Sequence, residues 1–257
     1  MALNLGLLIF SFITTSILIV PFINLLYKLK FTRRREAPKK GKIPFFDKVH
    51  DKKAGTPIGG GILIIAFVSL AFAIIFPLVS YLGVPVSAAY DVGGEINIIL
   101  LTMGMWVGLR RKHKFAIQWG LAFLIGFLIY QNLGISIINI PVFDTVVNLG
   151  PWYIPFAAFV IVSFVNAVNI TDGLDGLVAG LLLICLFSFW IISNKVFDTP
   201  LSVFISLWLG ALVAFLYFNI WPARIFLGDT GALSFGATLA VIGLLSGKIL
   251  ALVAIGG

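Results

Sequence analysis

Apolar residues run through this chain in blocks of sixteen to twenty-five, broken by short polar stretches, over almost its whole length. The blocks lie near residues 3–27, 58–82, 94–109, 115–133, 152–168, 177–193, 201–218 and 231–247, and a ninth apolar run begins at Ile249. At about 1.5 Å per residue, helices of that length cross or nearly cross about 30 Å of hydrocarbon. Barrel strands need only about 10 residues each and alternate in polarity, which these blocks do not. The pattern therefore predicts an all-α fold, a polytopic transmembrane helical bundle of about eight spans plus the start of a ninth, forming one membrane-embedded domain over residues 1–257.

Composition agrees with a bilayer rather than a soluble globule. With 60% hydrophobic and 11% charged residues and a mean hydropathy of +1.11, the chain has too little polar surface to cover a water-exposed sphere. The first block, Leu3 to Tyr27, is too long for a signal-peptide core and has no small-residue cleavage site after it, so it reads as a retained span. The lone cysteine, Cys185, lies in an apolar block and reads as a buried structural thiol.

Charge adds sidedness. Eleven Lys or Arg lie within residues 28–53 and four more within 110–114, fifteen of the eighteen in the chain. The loops at 83–93 and 134–151 carry none. The positive-inside rule makes the basic loops cytoplasmic and puts the N-terminus outside. A net charge of +8 next to a membrane is explained by topology and anionic headgroups, so no nucleic-acid partner is expected.

Against this background, acids at a membrane boundary stand out. Asn166 to Gly176 reads NAVNITDGLDG and Asn219 to Gly231 reads NIWPARIFLGDTG. By the alternation of spans, both fall on the same side as the loop ending KKAGTPIGGG, Lys52 to Gly61. Asp172 and Asp175, three apart, share one side if the turn between them is helical. No Lys or Arg lies within their segment, so a cation from elsewhere should meet them. Asp229, in a Gly-Asp-Thr-Gly turn at the start of the last full block, suits a hard cation such as Mg²⁺.

Taken singly, Asp172 and Asp229 read equally well as caps of the helices that follow them; three polar motifs on one side make capping alone a poor account. Asn166, Asn169 and Asn219 supply the paired donors and acceptors that reading an amide or nucleobase edge requires. The glycines after Thr56 fit two roles, a phosphate cradle beside Lys53 or a tight helix crossing through Gly59 to Gly61.

The segments HDKKAGTPIGGG (His50 to Gly61), NAVNITDGLDGL (Asn166 to Leu177) and FNIWPARIFLGDTGAL (Phe218 to Leu233) resemble signature stretches of the polyprenyl-phosphate sugar-1-phosphate transferases, also called glycosyltransferase 4. The first favours the branch that handles phospho-N-acetylmuramoyl-pentapeptide. The resemblance runs from about Leu7 to the last residue. It implies a Mg²⁺-dependent transfer of phospho-N-acetylmuramoyl-pentapeptide from its UDP conjugate to undecaprenyl phosphate, giving lipid I and UMP, at the cytoplasmic face of a bacterial inner membrane. By the same resemblance Asp229 is the metal-binding carboxylate. Lys53, Thr56, Asn169, Asp172, Gly173, Asn219 and Phe226 would form the substrate pocket, and Asp172, Asp175 and Asp229 carry the catalytic acids. A homodimer is implied by the resemblance alone.

Two departures follow. The family has an Asp-Asp pair at the inner end of its third span, whereas no acid lies here between Asn97 and Ile140, and that block of sixteen residues reaches only about 24 Å, as if shortened near Trp106 and Val107. The family's His-rich loop after its ninth span has no counterpart, since the only histidines are His50 and His113. In a smaller change, Ile58 stands where the family usually has Thr. The favoured reading is an incomplete sequence of a working transferase, cut at its C-terminus. The alternatives are a sister transferase using another UDP-N-acetylhexosamine, a pseudoenzyme that binds UDP-sugar without turnover, and a transporter, against which the two halves show no internal similarity.

Overall fold

The chain is described by a computed structural model over residues 2–33, 55–81, 86–88, 90–105, 114–140, 145–196 and 198–247. Lys53 and both histidines lie outside these residues, as does the run beginning at Ile249. Among the described residues eight α-helices are formed: α1 (Ala2–Lys28), α2 (Gly60–Tyr81), α3 (Val92–Met105), α4 (Lys114–Leu133), α5 (Tyr153–Thr171), α6 (Leu177–Lys195), α7 (Thr199–Asn219) and α8 (Gly228–Leu245). All but α3 are long and apolar enough to cross a membrane. The predicted block at 94–109 is the 14-residue α3, about 21 Å long; residues 106–113, where the shortening was inferred, lie outside the described residues.

Packing sorts the helices into core and rim. The apolar stretches of α7 and α8 are 78% and 83% buried, against 22% for α1, so the last two helices form the centre and the first faces lipid. Around them α1 packs on α7, α5 on α8, α6 on α7, and α2 on both. Small residues make these crossings close. A β-carbon on Gly210 of α7 would strike the Leu8 carbonyl of α1, and one on Gly236 of α8 would strike the Phe164 carbonyl of α5. On the rim, hydroxyls turn back to their own helices, as from Thr14 to the Phe10 carbonyl and from Ser188 to the Ile184 carbonyl, which satisfies them where no water is at hand.

One element was not foreseen. The sequence reading takes 134–151 as a plain connection, but Ile137–Ile140 (β1) and Thr145–Asn148 (β2) pair antiparallel with Ile137 opposite Asn148. The signal for it is the β-branched content of both segments, which the dominant helical pattern obscured.

Candidate active site

The three motif-bearing loops meet at one end of the bundle, and the third is their hub. Phe226 N–H donates to the Pro57 carbonyl at 2.9 Å, and the N–H groups of Gly59 and Gly60 donate to the Phe226 carbonyl at 3.1 and 2.9 Å. Gly61 N–H donates to the Leu227 carbonyl at 3.0 Å. These N–H groups are engaged with the third loop, so the glycine run serves a close crossing and not a phosphate cradle. At the α2–α8 crossing a β-carbon on Gly61 would overlap the Gly231 α-carbon. Ile58 packs against the same turn, where a β-carbon on Gly228 would come within 2.8 Å of its Cγ2.

The second loop is bound to the hub through two side chains. Asn219, only 4% exposed, accepts from Gly176 N–H at 3.1 Å through Oδ1 and donates through Nδ2 to the Ile225 carbonyl at 2.8 Å. Asp175 Oδ2 accepts from Ala223 N–H at 3.1 Å. In this structure Asn219 is therefore a strut between the loops. Asn219→Ala would leave the Gly176 N–H and the buried Ile225 carbonyl without these partners. We expect it to cost about 1–3 kcal/mol, read as a lower unfolding midpoint together with weaker nucleotide binding.

The acids sit differently from the helix-turn expectation. α5 ends at Thr171, Asp172 is its C-terminal cap residue with N–H donating to the Val168 carbonyl, and α6 starts only at Leu177. Gly176, at φ 75°, takes the left-handed turn that starts α6. Asp172 and Asp175 thus occupy a non-helical turn that ends at the left-handed Gly176, and Asp172 caps no following helix. Asp229 lies in the first turn of α8, exposed, while the cap position is Leu227 and makes no side-chain cap bond. An acid there is favoured by the helix dipole. Asn169 is half-buried on the last turn of α5, and Asn166 of the same helix donates to the Gln118 side chain at 3.2 Å.

Two arginines escaped the sequence reading. Arg33 lies over the Phe226 ring at 5.6 Å, and its backbone pairs with the Gly55–Thr56 segment, Arg33 N–H donating to the Thr56 carbonyl at 2.9 Å. Arg224 lies over Tyr217 and Phe218, each at 5.7 Å. Nothing in the sequence separates Arg33 from the other basic residues of its loop. For Arg224 the available signal was its isolation, as the one base inside the third motif.

This end of the molecule gathers two aspartates on a non-helical turn, an exposed aspartate at a helix N-terminus, a half-buried aromatic ring and two guanidinium groups. Such a set suits an anionic ligand with a planar ring, bound with a hard cation. The family model of glycosyl transferase family 4 matches residues 91–247. The chain belongs to glycosyl transferase family 4. It is 37% identical over 230 residues to a phospho-N-acetylmuramoyl-pentapeptide-transferase of Caldanaerobacter subterraneus subsp. tengcongensis, covering 88% of this chain and 70% of the relative. It is 36% identical over 261 residues to proteins of the same name from Halalkalibacterium halodurans and Clostridium perfringens, covering 97% of this chain and 77% and 76% of theirs. Membership in this transferase family, with seven helices able to span a bilayer, makes the chain an integral membrane transferase.

Proposed function

We propose that the protein transfers phospho-N-acetylmuramoyl-pentapeptide from its UDP conjugate to undecaprenyl phosphate, giving lipid I and UMP, the first membrane step of peptidoglycan synthesis. The observation that carries this reading is the hydrogen-bonded union of the three motif loops around Phe226 to Asp229. Relatives bearing that transferase name match nearly the whole chain. The basic loops argue for a cytoplasmic site and an N-terminus outside.

In the reaction an oxygen of the lipid phosphate attacks the β-phosphorus of the UDP-sugar, and the bond to the UMP oxygen breaks. Asp229 would hold Mg²⁺, which supplies charge neutralisation to the diphosphate when bound, with Asp172 in the substrate pocket beside it by the same resemblance. The donor set fits, because Mg²⁺ is commonly held by one or two carboxylates plus substrate phosphates and not by an all-protein cage. Phe226 offers a ring for the base, Arg33 steadies that ring by its cation–π contact, and Asn169 and Gly173 line the turn where the nucleoside would sit. Lys53 and Thr56 come from the loop that Phe226 ties down. Positioning and electrostatics are what phosphoryl chemistry chiefly needs from a protein.

A second reading is favoured by one observation: no acid lies between Asn97 and Ile140, where the resemblance implies an Asp pair. On that reading the pocket binds UDP-sugar without turnover. The test is UMP release from UDP-N-acetylmuramoyl-pentapeptide by the purified chain with undecaprenyl phosphate and Mg²⁺, with nucleotide binding measured in parallel. Turnover is expected; binding without turnover selects the second reading, and the absence of both turnover and binding rejects both. A different UDP-N-acetylhexosamine that competes better than the muramoyl substrate would move the assignment to a sister enzyme.

A further inference from the structure

At the end of the bundle opposite the acid-bearing loops, two more acids come together. Glu95, in the first turn of α3, is completely buried, and neither carboxyl oxygen accepts from any N–H or hydroxyl among the described residues. Its side-chain partner is the carboxyl of Asp198, which is 2% exposed, caps α7 and accepts from Leu201 N–H at 3.1 Å through Oδ1. Two carboxylates are both acceptors. The contact is a hydrogen bond only when one of them carries a proton.

Among the described residues the surroundings offer no alternative counter-charge. The 83–93 connection has no Lys or Arg, and Lys195, at the end of α6, is exposed. Tyr90 precedes α3 and lies within electrostatic reach of both acids, and Tyr153 at the start of α5 is fully buried with its hydroxyl unpartnered among the described residues. Asp91 uses Oδ2 to accept from Gly94 N–H at 2.7 Å. Burying a pair of like charges without a base is strongly unfavourable. The backbone is joined at the same place: Thr199 N–H donates to the Ser87 carbonyl at 2.7 Å, and Ser87 N–H to Thr199 Oγ1 at 3.1 Å.

We propose that Glu95 and Asp198 share a proton and form a latch that fastens the start of α3 to the start of α7. Burial holds the Asp198 carboxyl above the usual carboxylate range, against the opposing pull of Leu201 N–H and the Glu95 hydrogen bond. Burial also pushes the Tyr90 phenol up, so it stays a donor. The far end of α3 is fixed too, where the Ser234 hydroxyl of α8 donates to the Met103 carbonyl at 2.9 Å. The latch thereby sets how α3 lies along α8, the helix that carries Asp229.

The sign of the pH effect follows. The folded chain keeps a proton that the unfolded chain releases above about pH 4, so the folded state binds more protons and the stabilisation falls as pH rises. The experiment is the unfolding midpoint of the purified protein in detergent from about pH 5 to about pH 9, for wild type and Glu95→Gln, with infrared spectra at neutral pH. The amide of Glu95→Gln donates to Asp198 without any proton from solvent. We expect the wild-type midpoint to fall with pH by an amount that corresponds to about one proton, and the Glu95→Gln midpoint to lack that part of the slope. A protonated-carboxyl C=O band should be present in wild type and missing from Glu95→Gln. Asp198→Asn gives the same two comparisons if Glu95→Gln does not fold. Equal slopes and superimposable spectra would overturn the proposal. So would a midpoint at neutral pH that rises with Na⁺ or Ca²⁺ in wild type but not in the variant, since the pair would then hold a metal cation instead of a proton.

Discussion

Asp229→Asn is expected to abolish Mg²⁺-dependent transfer and leave the helical bundle intact. The two halves of that expectation come from one position. Asp229 is exposed in the first turn of α8, where a carboxylate contributes about 0.3–1 kcal/mol through the helix dipole. The isosteric amide keeps the side chain's size and an acceptor oxygen, so the fold survives. What it removes is a full negative charge that a hard dication requires of its ligand. Losing one element of charge stabilisation in a transferring site lowers the rate by about 10²-fold or more. The check is UMP release against Mg²⁺ concentration, with Mg²⁺-dependent retention of UDP-sugar as an independent readout and the unfolding midpoint as a control. Full Mg²⁺-dependent turnover by the variant would remove Asp229 from the metal site. Loss of activity with an unfolded protein would give it a structural role instead.

The sequence was informative wherever a physical period or a charge imbalance was large. Spans could be read because lipid demands long apolar runs, and seven of the eight predicted blocks became helices long enough to cross. The union of the three loops was legible from the alternation of spans, since an even count of crossings returns the chain to the same end. What sequence could not supply was the use of each polar atom. Asn219 reads as a ligand-binding amide, yet both ends of its side chain are bonded to backbone, at Gly176 and Ile225. Asp172 and Asp175 read as neighbours on a helical turn, yet α5 ends before them and the left-handed Gly176 after them starts α6. Glu95 and Asp198, 103 positions apart, carry no local pattern at all and become a pair only through the packing of α3 on α7.

Gly231→Val tests whether the site depends on the backbone crossing beneath it, and we expect it to be the most destabilising single change in the motif region. On α8 a β-carbon at Gly231 would lie 2.7 Å from the Gly61 α-carbon of α2 and 2.8 Å from Leu227 Cγ. The first obstacle is backbone, which no rotamer change relieves, so the penalty should reach or exceed the upper end of the roughly 1–3 kcal/mol seen for overpacking. Relief requires α2 and α8 to part. That movement would stretch the bonds from Gly59, Gly60 and Gly61 to Phe226 and Leu227, five and four residues before the substitution. Asp229 and Phe226 would then shift against the first loop, so nucleotide affinity should fall even in molecules that remain folded. Gly120→Val in α4 is the matched control, because the space around its β-position is open and the same change there should cost less than about 1 kcal/mol. The comparison is read in unfolding midpoint and UDP-sugar binding. If both variants behave alike, the close crossing of α2 and α8 is not what holds the three loops in register, and the side-chain struts Asn219 and Asp175 must carry that role by themselves.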